Sequence, residues 1–195
     1  DNEFISKSVI QIREMAHYLM NHPSIVVWCC HNEPSENKEK LTPILYTALK
    51  SADPWRHIEM SSDLETHPYP GWYYGHYKEF ASLPCAPMIT EFGAQALPCR
   101  ESLEKFIDKD KLWPPDWDFW AYHNFRYEQT FNVAKIEMCG SLDEFIKNSQ
   151  DYQARLLKYA IENYRRAKHN PTTGLFQFMF VDCWPSITWS IVDYY

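Results

Sequence analysis

A chain of 195 residues that is 45% hydrophobic and 16% aromatic holds enough apolar side chain for one well-buried globular unit. Only 5 glycines stand against 13 prolines, which excludes a low-complexity chain, and no run of about 18 apolar residues is present to cross a membrane. The formal net charge is −7, with no basic cluster interleaved with aromatics, so neither nucleic acid nor a membrane is an expected partner.

The opening DNEFISKSV is polar and does not read as a secretory leader. Residues 4–20 place Val9, Ile12, Ala16 and Leu19 at helical spacing, and Asn21, His22 and Pro23 stop that helix. The run from Ser24 to Cys30 is β-branched, apolar and too short for a helix. A strand apolar on both faces suits a buried parallel sheet. Helical period returns from Glu36 to Lys50 through Leu41, Ile44, Leu45, Ala48 and Leu49, and Arg56 to Ser62 is a short strand candidate. The loop-rich ETHPYPGWYYG follows, and then PMITEFG, Pro87 to Gly93, a short strand that ends in a turn. In the long helical region beyond it, Ser141 and Glu144 form an S-x-x-E capping box. The helix they start has Leu142, Phe145, Ile146, Leu156, Ala160 and Ile161 on its apolar face. Arg165, Arg166 and Lys168 read as its solvated end, and Gly174 precedes LFQFMFV, a last apolar strand. Strands that alternate with long helices predict βαβ units and a parallel sheet.

The six cysteines include no C-x-x-C pair, so zinc-ribbon and redox spacings are absent. Adjacent Cys29 and Cys30 are expected on opposite faces of their strand. Small buried thiols suit a reducing compartment, which favours the cytoplasm, although no motif fixes a location. The histidines at 31, 57, 67, 76 and 123 lack metal-ligand spacing, so no metal and no cofactor are expected; His67 and His123 stand in loops near the candidate pocket.

In parallel sheets chemistry gathers at the C-terminal ends of strands, which asks which polar residues follow each apolar run. Two runs end in a carboxylate: HNEP carries Glu33, and TEFG carries Glu91. Two glutamates at one barrel rim suit glycosidic bond cleavage, in which one protonates the leaving oxygen and the other attacks or assists at the anomeric carbon. A separation of roughly 5–5.5 Å means retention of configuration and roughly 6.5–9.5 Å inversion. Against this stands the plainer reading of a strand-end glutamate as a salt-bridging or capping residue.

NHPSIVVWCCHNEP resembles the acid/base motif of glycoside hydrolase family 2, PMITEFGAQALP its nucleophile strand, and THPYPGWYYG the segment before it. SQDYQARLLKYAIENYRR and DCWPSITWSIVDYY are similar to the β-mannosidase and exo-β-glucosaminidase branch. The resemblance implies a (β/α)8 barrel and a retaining double displacement on a terminal β-linked sugar, with Glu33 as acid/base and Glu91 as nucleophile. By the same resemblance Asn32 would bind the sugar 2-hydroxyl, Tyr69 would sit beside the nucleophile, and Tyr73 would be the second tyrosine of that loop. Either tyrosine has a packing role as its alternative. Trp72 and Trp184 stack on sugar or pack in the core, whereas Trp113, Trp117 and Trp120 read as packing residues. The chain departs from the pattern at His67, where the family carries Asn, and at Phe178 and Val181, where the branch carries Trp and Asn; these changes reshape the pocket.

A whole (β/α)8 domain needs about 250 residues. Residues 1–195 are therefore expected to be a partial TIM-barrel catalytic domain, about strands 4–8. The first barrel strands and the family's sandwich domains would lie elsewhere in a longer protein. Open parallel edges would favour association of copies. The alternative from another class is a carbohydrate-binding barrel that has lost catalysis.

Overall fold

The computed structural model describes residues 1–35 and 38–195. They form two compact units, residues 1–65 and 66–195.

In the first unit α1 (Asn2–Leu19) starts at Asp1, whose carboxylate accepts the Glu3 N–H at 2.8 Å. The predicted stripe turns Ile12 and Ala16 into the core, and the helix ends at Met20, just before the predicted stop. α2 (Lys38–Ala52) packs along α1 through Leu45, Ala48 and Leu49, and the expected start at Glu36 lies outside the described residues. β1 (Val27–Cys29) and β2 (His57–Glu59) pair in parallel, with Trp28 opposite Ile58. Their bonding continues beyond the regular ladder. Cys30 N–H donates to Glu59 O at 3.0 Å, Ser62 N–H to His31 O at 2.9 Å, and Glu33 N–H to Ser62 O at 2.8 Å.

The expected two-sided burial of Ser24–Cys30 is not what the strand shows. Trp28 and Cys30 are buried, but on the opposite face Val27 is only half-buried and Cys29 is exposed, and Val26, just before the ladder, is 64% exposed. The helices of this unit cover one face of β1 and leave the other to solvent. The two thiols do point to opposite faces, and burial pushes the Cys30 thiol up to about 11.

The second unit opens on a tight turn at Tyr69–Tyr74, in which Gly71 N–H donates to Tyr74 O at 2.6 Å and Tyr73 N–H to Tyr69 O at 3.0 Å. Gly71 has φ +83°, and a Cβ there would lie 2.6 Å from the Tyr77 amide nitrogen, so only glycine fits. A 3-10 helix (Tyr77–Ala81) leads to β3 (Met88–Ile89). Three short helices follow, α3 (Arg100–Leu103), α4 (Lys109–Leu112) and α5 (Trp117–Tyr122), and then a π turn at Gln129–Val133. Trp117, Trp120, Phe125, Phe131 and Phe145 form one nest of edge-to-face and stacked rings, so the tryptophans at 117 and 120 are packing residues as read.

α6 (Leu142–Arg166) begins at the predicted box: Ser141 Oγ accepts the Glu144 N–H, and the Glu144 carboxylate accepts from Ser141 Oγ and the Gly140 N–H. Its apolar face buries Leu142, Phe145, Leu156 and Ala160 as expected, while Ile161 is half-buried. Polar residues on the same helix hold the irregular segment after β3. Gln153 Nε2 donates to Ala94 O at 2.9 Å, and Ser149 Oγ accepts the Leu97 N–H at 3.0 Å.

β4 (Gly174–Leu175) pairs in parallel with β3. The regular part of the predicted last strand is shorter than LFQFMFV, although its bonding continues through Phe176 N–H to Ile89 O and Phe178 N–H to Phe92 O. Met179 then turns its N–H to Trp189 O, so the chain leaves β3 for the C-terminal segment, and Phe176 and Phe180 stay exposed instead of entering a core. At the crossing the Phe178 carbonyl lies against Gly93, where any Cβ would collide with it. All regular strand pairing among the described residues is parallel, as the alternation predicted.

Candidate active site

Each unit carries one of the two carboxylates singled out by the sequence, and each lies just beyond the C-terminal end of a parallel strand. In the first unit the chain after β1 stays tied to the segment after β2, through the parallel bridge of Asn32 with Ser62 and the Glu33 N–H bond described above. Both Asn32 and Glu33 are exposed. Glu33 has φ +43°, the left-handed region that a side chain rarely adopts. The backbone there turns out of the strand at the residue whose carboxylate is the candidate acid.

In the second unit the segment after β3 is fixed from the other side. Thr66 O accepts the N–H of Thr90 at 2.9 Å and of Glu91 at 3.2 Å, and Thr90 Oγ1 donates to Thr66 Oγ1 at 2.8 Å. The Glu91 side chain is 20% exposed. The buried Tyr69 hydroxyl donates to Glu91 Oε2 at 2.9 Å. His67, also buried, stands with Nδ1 at 3.7 Å from the same oxygen, within electrostatic reach but beyond a hydrogen bond. The PYPGWYYG turn therefore brings Tyr69 to Glu91, and its neighbour His67 to the same carboxylate. A phenol at this distance selects one carboxylate oxygen as its acceptor.

The remaining expected residues divide. Tyr73 is 45% exposed, packs edge-on to Tyr69 at 5.2 Å, and lies beside Trp189. Trp184 is also solvent-accessible. Trp72 takes the core alternative: it is 0% exposed, locked edge-to-face against Trp189, so its indole is not available to a sugar face. The sequence offered no sign of this difference, since both tryptophans sit in loop-like segments. His123, expected in a loop near the pocket, is buried, and its ring lies under Trp184.

A family model described as glycosyl hydrolases family 2, TIM barrel domain, matches residues 1–110. β-Mannosidase B of Aspergillus terreus is 23% identical over 235 aligned positions, covering 97% of this chain and 27% of that protein. Among solved structures, the β-D-mannosidase of Dictyoglomus thermophilum superposes with a TM-score of 0.82 at 26% identity, over 100% of this chain and 28% of its own. The β-glucuronidase of an uncultured Clostridium sp. shares the fold alone, with a TM-score of 0.59 at 15% identity, over 97% of this chain and 33% of its own. The chain thus spans roughly a quarter to a third of the length of these relatives. Its match to the barrel model over more than half its residues settles its place: this chain belongs to glycosyl hydrolase family 2, through the TIM barrel domain of that family.

Proposed function

We propose that the full-length protein is a retaining exo-β-glycosidase of the β-mannosidase type, with a carbohydrate as its substrate. The observation that carries this reading is the Tyr69–Glu91 hydrogen bond at the end of β3 in a family 2 chain. In the first step the Glu91 carboxylate oxygen not held by Tyr69 attacks the anomeric carbon. Glu33 gives its proton to the glycosidic oxygen, the carbon–oxygen bond to the leaving group breaks, and a glycosyl ester forms on Glu91. In the second step Glu33, now a carboxylate, takes a proton from water. The hydroxide equivalent attacks the anomeric carbon, and the Glu91 ester bond breaks to release the sugar with its configuration retained. Asn32 bonds the sugar 2-hydroxyl, and Tyr73 and Trp184 line the ring. Relatives named as β-mannosidases support the choice of sugar.

The chain in hand is read as about strands 4–8 of the barrel, within a partial catalytic domain that spans residues 1–195. The earlier barrel strands and the sandwich domains come from other parts of the same polypeptide. Four short strands in two parallel pairs among the described residues, and relatives several times longer, support that reading.

A panel of nitrophenyl β-glycosides tests the activity on the full-length protein. The β-mannoside is the expected substrate, and sugar binding without turnover of any member would instead identify a binding relic. Azide separates the two roles. Glu33→Ala loses about 10²–10⁴-fold on poor leaving groups, keeps activity on activated ones, and yields a β-glycosyl azide. Glu91→Gly with azide yields the α-azide. The same anomer from both variants would sink the assignment.

A further inference from the structure

The loop that carries Trp184 is held more firmly than a surface loop requires. It closes at its base through the parallel bridge of Val181 with Val192 and the Val192 N–H bond to Phe180 O at 3.0 Å. Inside, the buried Asp182 carboxylate accepts three hydroxyls: Ser186 at 3.3 Å, Thr188, and Ser190 at 2.6 Å. From outside, His123 grips the loop at two points. Its Nδ1 lies 2.8 Å from Pro185 O, and its own carbonyl accepts the Ile187 N–H at 2.8 Å. A carbonyl only accepts, so Nδ1 carries the proton in that contact.

The imidazole ring lies nearly parallel to the Trp184 indole, with centroids 5.4 Å apart at 20°. Phe106 and Phe119 pack on the histidine at 4.9 and 5.0 Å, and Tyr122 stands edge-on to Trp184 at 5.9 Å. The indole is therefore supported on one side by a buried ring and is 36% exposed. An indole held at a fixed angle with part of its surface open is a platform for the C–H face of a sugar ring.

We infer that His123 is a positioning residue that sets the orientation of Trp184 for sugar binding, through the Pro185 hydrogen bond and the ring stack, without itself touching the substrate. The inference rests on the reading of Trp184 as a sugar-binding residue. A preset indole loses less rotamer freedom on binding, so the effect falls on the ground-state complex more than on the chemical step.

The test is a mutant cycle on the full-length protein with nitrophenyl β-mannoside. Trp184→Ala is expected to raise KM about tenfold, and His123→Ala about fivefold, with kcat changed less than twofold by the latter. In the Trp184→Ala background, His123→Ala should raise KM no further. His123→Asn keeps a donor for Pro185 O and should recover part of the loss, whereas His123→Phe keeps a ring without the donor and should not fully do so. Equal KM increases for His123→Ala in both backgrounds would overturn the inference, as would a lower kcat at unchanged KM, the mark of a merely structural role. Unchanged KM in Trp184→Ala with activity intact would also overturn it and leave the glycosidase reading standing. Should the wild-type protein cleave no β-glycoside, that reading fails separately, and the same cycle is read in the Kd for mannose by calorimetry with the same expected pattern.

Discussion

On the proposed reading of Glu91 as nucleophile, a single phenol decides which of its oxygens is held and which reacts. Tyr69→Phe removes that donor and leaves a carboxylate oxygen without its 2.9 Å partner. A hydrogen bond to a charged group contributes about 1.5–3 kcal/mol, so kcat on nitrophenyl β-mannoside should fall roughly 10–100-fold, with KM changed far less. Circular dichroism of the variant should match wild type, which separates this loss from misfolding. The pairing of Tyr69 with Glu91 was legible in the sequence, because family order places both residues. The fates of the two tryptophans were not. Trp72 and Trp184 lie in similar aromatic, proline-bearing contexts, and their opposite exposures follow from Trp189 and His123, which are distant in sequence and share no periodicity with them.

A buried knot at the end of α2 holds the elements of the first unit together. Asp53 accepts Trp28 Nε1–H at 2.9 Å and Arg56 Nη1–H at 2.6 Å, and Arg56 also donates to the carbonyls of Met20 at 2.7 Å and Ile25 at 2.6 Å. One arginine thereby ties the end of α1, the approach to β1 and the end of α2. The Trp28 bond, aided by Arg56 and the amides of residues 55 and 56, holds the Asp53 carboxyl at about 2 against the cost of burial. Its folded-state value lies below the unfolded value near 3.9. The stabilisation is therefore full above about pH 4 and is lost as pH falls through about 2. Unfolding of this unit followed from pH 5 to 2 should show that loss, and Asp53→Asn should be less stable at neutral pH and flatter across the window.

In the second unit, Gly71→Ala strains a φ of +83° and drives a Cβ into the backbone of Tyr77. It should cost at least about 2 kcal/mol in urea unfolding. The helices were legible because their apolar period and the Ser141 box act locally. The strands were legible in place and direction but not in extent. Their regular length is set by partners such as Trp189 O, which draws Met179 away from β3.

The described residues present four short strands in two parallel pairs, whereas an eight-stranded barrel closes only when every edge is paired. On the proposed reading, residues 1–195 expressed alone should associate on size-exclusion chromatography and cleave no β-glycoside, whereas the full-length protein is expected to stay unassociated through these edges and to turn the substrate over. Activity from the isolated chain would refute the view that further strands complete the site. The left-handed backbone at Glu33 bears on the same whole molecule in another way. Glycine relieves that conformation and alanine does not, so Glu33→Gly should melt at a higher temperature than Glu33→Ala, by about 1 kcal/mol in stability. Both variants lack the carboxylate, so the difference reads the backbone alone. If Glu33 is the acid as proposed, natural selection at this position would have kept a residue that folds poorly there for the sake of what its side chain does, and a search for thermostable variants blind to turnover would replace that residue first.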